Sequence, residues 1–144
     1  MLFTVDAQRI TLPPAILLSK LDLGYGVKTE KFPLDRTNMN WIFDLPHESE
    51  TGLEVVPGQV ELDLTLKMFE KLIHFVNVKE VRMIAYKDFA WKSHLYTGQP
   101  MYLQFTVTRV KPRIQCTDVD WLAETLHDDG TPSFSMTVKQ RIYP

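Results

Sequence analysis

The chain has 144 residues, of which 44% are hydrophobic and 24% charged, and its formal net charge is −2. That length suits one domain spanning 1–144, the composition excludes a disordered chain, and the near-neutral charge excludes binding to nucleic acid through overall charge. A lone cysteine, Cys116, excludes an internal disulfide and fits a reducing compartment. In chain order, LFTVDAQRITL (2–12) alternates weakly and reads as a first strand, which Pro13-Pro14 interrupts. AILLSKLDLGYGV (15–27) fits a short helix or a strand equally well. Residues 40–43 have extended character, with Trp41 and Phe43 on one face, and a polar stretch from His47 to Glu54 follows.

Pro57-Gly58 then opens a helix expected to run to about Asn77. Leu62, Leu66, Phe69, Ile73 and Val76 recur at the helical period, and Leu64, Met68, Leu72 and Phe75 add a second apolar flank. The polar side narrows to Thr65, Lys67, Glu70, Lys71 and His74, so something must wrap most of this helix. After it the period drops to two. Segments 80–96, 100–110, 113–128 and 132–143 are rich in Val, Ile, Thr and aromatic residues, and read as strands. The turns are Thr97-Gly98-Gln99-Pro100 and His127-Asp128-Asp129-Gly130. An α+β domain follows, with a strongly curved antiparallel sheet wrapped around one long central helix. Such a sheet leaves edges that a homodimer can pair.

Charge is uneven along the chain. Residues 44–63 carry six acids (Asp44, Glu48, Glu50, Glu54, Glu61 and Asp63) and no Lys or Arg. Residues 79–92 carry Lys79, Arg82, Lys87 and Lys92 against Glu80 and Asp88. Two solvated faces account for this; a second account is a basic stretch that receives an acidic carrier protein or a phosphate. His74, His94 and His127 have no metal-ligand spacing, so no metal is expected. Trp41, Trp91 and Trp121 read as core or interface aromatics, and Tyr25 and Tyr86 as core or the lining of a tunnel. The N-terminal MLFTVDAQRI lacks a signal-peptide pattern, and no apolar run is long enough to cross a bilayer, so a cytoplasmic protein is expected.

A histidine in a bend, a Pro-Gly, and an acid in the first turns of the central helix form a pattern: His47, Pro57-Gly58 and Asp63. With the strand pattern of 81–110, it resembles the hot dog fold beta-hydroxyacyl-(acyl carrier protein) dehydratases of fatty acid and polyketide biosynthesis. An Asp at the acid position resembles the dehydratase/isomerase subgroup. The resemblance covers about residues 35 to 144 and departs at the histidine turn. HESETG replaces the family's His-Phe-Pro-Gly, the gap from His47 to Pro57 is two residues longer, and Lys67 replaces a common glutamine.

The resemblance implies a hydro-lyase that dehydrates 3-hydroxyacyl thioesters carried on phosphopantetheine or coenzyme A, with no bound cofactor. His47 would be the base and Asp63 the acid, meeting across the interface of a homodimer. The Gly58 amide at the helix head would bind the thioester oxygen. Lys87 and Lys92 would hold the phosphate of the pantetheine arm or an acidic acyl carrier protein. The chemistry is sound on general grounds. A histidine titrates near neutrality, a carboxyl in an apolar site can stay protonated, and a helix N-terminus offers free N–H groups to a developing oxyanion. Two alternatives share the fold. One is an acyl thioesterase using Asp63 and an ordered water. The other is a non-catalytic protein that binds an acyl chain or a partner. On its own, Asp63 equally suits a solvated first turn that complements the helix dipole.

Overall fold

A computed structural model describes residues 2–6, 13–34 and 55–144. Its elements are β1 (Leu2–Val5), β2 (Ile16–Leu17), a 3-10 turn (Leu18–Lys20), β3 (Gly26–Thr29), β4 (Phe32–Pro33), α1 (Gly58–Leu72), β5 (Phe75–Val76), β6 (Glu80–Trp91), β7 (Pro100–Pro112), β8 (Thr117–His127) and β9 (Pro132–Tyr143). The main sheet runs β1-β3-β7-β8-β9-β6, and β4 also pairs with β7. Among the described residues only the β1–β3 pair in this sheet is parallel. The four C-terminal strands fall close to the expected segments; β7 alternates between buried and less buried residues over its first half and β9 over its second, whereas β6 is exposed along almost its whole length. The β8–β9 hairpin closes at Gly130, whose φ of +88° suits glycine, and His127 N–H donates to the Thr131 carbonyl. The ambiguous 15–27 segment holds both candidates in miniature, a two-residue strand and then the 3-10 turn. β1 covers the start of the expected first strand, and residues 7–12 of that segment, with Trp41, Phe43 and His47, lie outside the described residues.

The helix stops at Leu72, five residues short of the expected end at Asn77. Ile73 is already extended, and β5 pairs with β2 instead of continuing the helix. The Ile16 N–H donates to the His74 carbonyl, so a tertiary strand pairing outcompetes the apolar period. The buried stripe also differs from the expected one. Glu61, Leu64, Thr65, Met68, Phe69 and Leu72 are buried, whereas Leu62 and Leu66 are half-buried and Val76 is exposed. Thr65, expected on the polar side, is fully buried, and its hydroxyl donates to the Glu61 carbonyl at 2.7 Å. Between helix and sheet, Phe69 meets Phe105 and Trp121 edge-on at 5.4 and 5.6 Å between ring centroids. The Trp121 indole N–H donates to Gln140 Oε1 at 2.7 Å, which satisfies the largest side chain in the core.

At the far end of the β7–β8 hairpin, Asp118 is buried beneath two arginines. Arg141 donates to Oδ1 at 2.8 Å and Oδ2 at 3.1 Å, and Arg113 donates to Oδ2 at 2.7 Å. The Arg141 bonds, reinforced by Arg113, hold the carboxyl well below the usual carboxylate range. A depressed folded pKa gives stability that is present above the unfolded value and lost as pH falls through the folded one. The ion pairs therefore persist into acid below the ordinary carboxylate range. Asp118→Ala leaves two guanidinium groups without a counter-charge, and the expected loss is about 2–4 kcal/mol at neutral pH. An unchanged urea midpoint would contradict this.

Candidate functional site

Residues 55–56 lie antiparallel to 95–96: Val55 bridges Tyr96, and the Val56 N–H donates to the Leu95 carbonyl at 2.8 Å. This short pairing brings the head of α1 beside the segment that leaves β6. Proline at 57 cannot continue an extended pairing and starts the helix, and no side chain caps its first N–H groups. Between the two lies a cleft of about 430 Å³, lined among others by Gly58, Glu61, Trp91, Lys92, Ser93 and His94.

Gly58 and Lys92, both expected at the site, are in this cleft. The reason for the glycine is more specific than close approach by a substrate. A Cβ on Gly58 would sit 2.8 Å from the Trp91 indole nitrogen, which donates to the Gly58 carbonyl at 3.2 Å. Lys87 lies on the same strand as Trp91, and its side chain is exposed like that of Lys92. Asp63 does not line the cleft. It is two residues past Glu61, about 200° around the helix, half-buried, and accepts a bond from Gln59 Nε2 at 3.0 Å. His47 lies outside the described residues, so its relation to Asp63 is not part of this geometry.

The acid that the structure brings into the cleft is Glu61, 2% exposed. Its Oε1 lies 2.9 Å from Thr125 Oγ1 on β8 and 2.6 Å from Ser133 Oγ on β9. Burial pushes its carboxyl above the usual range, against the opposing pull of these hydroxyls and of His127 and His94. The sequence contains a signal for it. Glu61, Leu64, Thr65, Met68 and Leu72 share one helical face, so a carboxyl stands on the stripe that is buried. Among the described residues no group of three or more His, Cys, Asp or Glu could hold a metal ion, and no helix is long and apolar enough to cross a membrane.

No family model and no curated protein matches the sequence. Solved structures do match the fold. The MaoC-like dehydratase from Rhodospirillum rubrum aligns with a TM-score of 0.63 at 15% identity, over 90% of this chain and 97% of that one. The R-hydratase PhaJ1 from Pseudomonas aeruginosa aligns with a TM-score of 0.61 at 7% identity, over 88% and 84%. A hypothetical thioesterase with coenzyme A from Streptococcus pneumoniae aligns with a TM-score of 0.55 at 6% identity, over 85% and 81%. With one α-helix among the described residues packed on a long, mostly antiparallel sheet, and with these neighbours spanning nearly its whole length, the chain has the hot dog fold.

Proposed function

We propose that this protein is a hydro-lyase that interconverts 3-hydroxyacyl and enoyl thioesters, carried on an acyl carrier protein or coenzyme A, in fatty acid or polyketide biosynthesis. The observation that carries this reading is the cleft at the head of α1, where uncapped helix N–H groups and a buried carboxyl line one space. Loss of water from a 3-hydroxyacyl thioester needs a base at the alpha carbon, an acid at the beta hydroxyl, and donors for the charge that builds on the thioester oxygen. His47 takes the alpha proton, and the Gly58 amide receives the oxygen. The resemblance gives the acid's part to Asp63. The dehydratase and hydratase neighbours support the reaction class, and the thioesterase neighbour supports an acyl thioester as ligand.

The proposal includes a homodimer. Among the described residues β6 ends the sheet and pairs with β9 alone, and it exposes Val81, Met83, Ile84, Tyr86 and Phe89. A second copy pairing at this edge would cover these apolar side chains and the open ladder. It would also let His47 and Asp63 meet from different subunits. The deciding assay is hydration of an enoyl-pantetheine thioester by the wild-type protein. Steady release of free thiol without hydration would move the reading to a thioesterase, and no turnover of any acyl thioester would leave an acyl-binding protein. Lys92 lines the cleft and Lys87 is exposed on the same strand as Trp91; in this reading they receive the pantetheine phosphate or an acidic carrier. Reversing both charges (Lys87→Glu, Lys92→Glu) is expected to raise KM for a carrier-linked substrate at least tenfold at low salt, and less at high salt. An unchanged KM at low salt would remove both lysines from the site.

A further inference from the structure

Glu61 is the one acid that α1 buries, and the short contacts around it count its protons. Ser133 Oγ lies 2.6 Å from Glu61 Oε1 and 2.7 Å from the Ser93 carbonyl oxygen. A serine hydroxyl has one proton, and a carbonyl oxygen can only accept. If Ser133 donates to a Glu61 carboxylate, its oxygen faces the Ser93 carbonyl at 2.7 Å with no proton between them. If instead Glu61 is a neutral acid, its own proton fills the contact to Ser133, Ser133 donates to Ser93, and Thr125 donates to Glu61. Every short contact then holds a proton. Burial favours the same state. Among the described residues no donor meets the other carboxyl oxygen, and the side chain lines the cleft.

We infer that Glu61 is a catalytic acid of the proposed hydro-lyase, protonating the hydroxyl that leaves the beta carbon. The inference rests on that reading of the reaction and goes beyond the resemblance, which points to Asp63. In dehydration the base removes the alpha proton, the C–H electron pair becomes the new double bond, and the beta C–O bond breaks. The departing oxygen takes the Glu61 proton and leaves as water. A half-turn of the carboxyl about its Cγ–Cδ bond brings that proton from the Ser133 side to the cleft side. Once Glu61 is ionised, Ser133 can turn from the Ser93 carbonyl and donate to the carboxylate beside Thr125, so the site that keeps the acid neutral at rest also receives the anion. The proton held by the base returns to Glu61 through solvent. In this reading Asp63 is not the acid and can serve His47 as a positioning residue.

Glu61→Gln tests this, because the amide keeps the shape, and its nitrogen at the Oε1 position has two N–H groups, one for Ser133 Oγ and one for Thr125 Oγ1. The variant is expected to fold with a urea midpoint no lower than the wild type's. Its kcat for enoyl-pantetheine hydration is expected to fall about 100- to 10,000-fold, with KM changed less than threefold. The wild-type rate of dehydration should decline as pH rises through the raised pKa of Glu61, and the residual activity of Glu61→Gln should lack that limb. The titratable groups nearest to it are Lys92 and His94 at the cleft and His127 at the end of β8. His94→Ala should therefore retain the limb, displaced to higher pH, since His94 opposes the rise. If the glutamine variant does not fold, infrared titration of the wild type takes its place: a protonated buried carboxyl at pH 7 is expected, and its absence overturns the inference. An active wild type with an equally active, folded Glu61→Gln variant sinks this role alone. A wild type that turns over no acyl thioester sinks the reaction itself, and this role with it.

Discussion

Replacing His47 by alanine is expected to lower enoyl-thioester hydration by a factor of about 100 to 10,000, the usual loss when a positioned acid or base is removed. Asp63→Asn is expected to fall in the same range, whether Asp63 gives a proton or holds the imidazole. An amide has no proton to give and no charge to stabilise an imidazolium. The geometry adds a sharper expectation. Asp63 is half-buried and away from the cleft within its own chain, so in the proposed mechanism it acts at the site of a second subunit. Two inactive homodimers, His47→Ala and Asp63→Asn, should therefore regain activity on mixing. Random exchange makes half the dimers mixed, each with one intact His47–Asp63 pair, so about a quarter of wild-type activity should return. Glu61→Gln mixed with Asp63→Asn distinguishes the two carboxyls further, because the subunit that carries each role sets which mixtures recover. Wild-type rates in both single variants would remove the pair from the mechanism. Recovery in no mixture, with each variant inactive alone, would place both groups in one subunit's site.

Strands β7 to β9 were legible because alternation survives wherever one sheet face is buried and the other is wet, and β6, exposed along almost its whole length, was legible from its β-branched and aromatic residues. The start of α1 was legible in Pro57-Gly58, since proline ends an extended pairing and suits a helix start. Its end was not. The apolar period runs on past Leu72, and what stops the helix is the pairing of Phe75 with Ile16, a partner far away in sequence. The orientation of the helix was half legible. Two apolar flanks were visible, and the sequence could not say which one faces the sheet, so Thr65 read as polar surface when it is core. The same gap hid Glu61. As a member of an acidic run it looks solvated. Its burial depends on Thr125 and Ser133, which stand 64 and 72 residues further along the chain. A carboxyl at i with apolar residues at i+3, i+7 and i+11 was the available signal. Of the expected site residues, Gly58 and Lys92 share the cleft, while Asp63 lies on another side of the helix and His47 falls outside the described residues.

The largest loss of stability is expected from Phe69→Ala. Phe69 is 1% exposed, and its ring is the contact between α1 and two different strands, Phe105 on β7 and Trp121 on β8. Truncation removes the transfer energy of the ring, opens a cavity, and deletes two edge-on aromatic contacts. The sum is about 3–5 kcal/mol, a large part of the roughly 5–15 kcal/mol that holds a domain of this size. The neighbours cannot collapse into the space, because Trp121 is tied to Gln140 and Phe105 is fixed by strand pairing on both sides. Phe69→Leu keeps much of the volume and should lose about 1–2 kcal/mol. Urea unfolding at constant m-value is the measurement, and a loss below about 1 kcal/mol for the alanine variant would show that the helix is held mainly elsewhere. Phe69 lies two turns of helix beyond Glu61, on the same rigid body that carries Gly58 into the cleft. A leucine that keeps α1 seated should leave the contacts of Glu61 with Thr125 and Ser133 in place. Phe69→Leu is therefore expected to lose stability while keeping kcat, whereas Glu61→Gln keeps stability and loses kcat. That opposition separates the residue that holds the helix from the residue the helix presents.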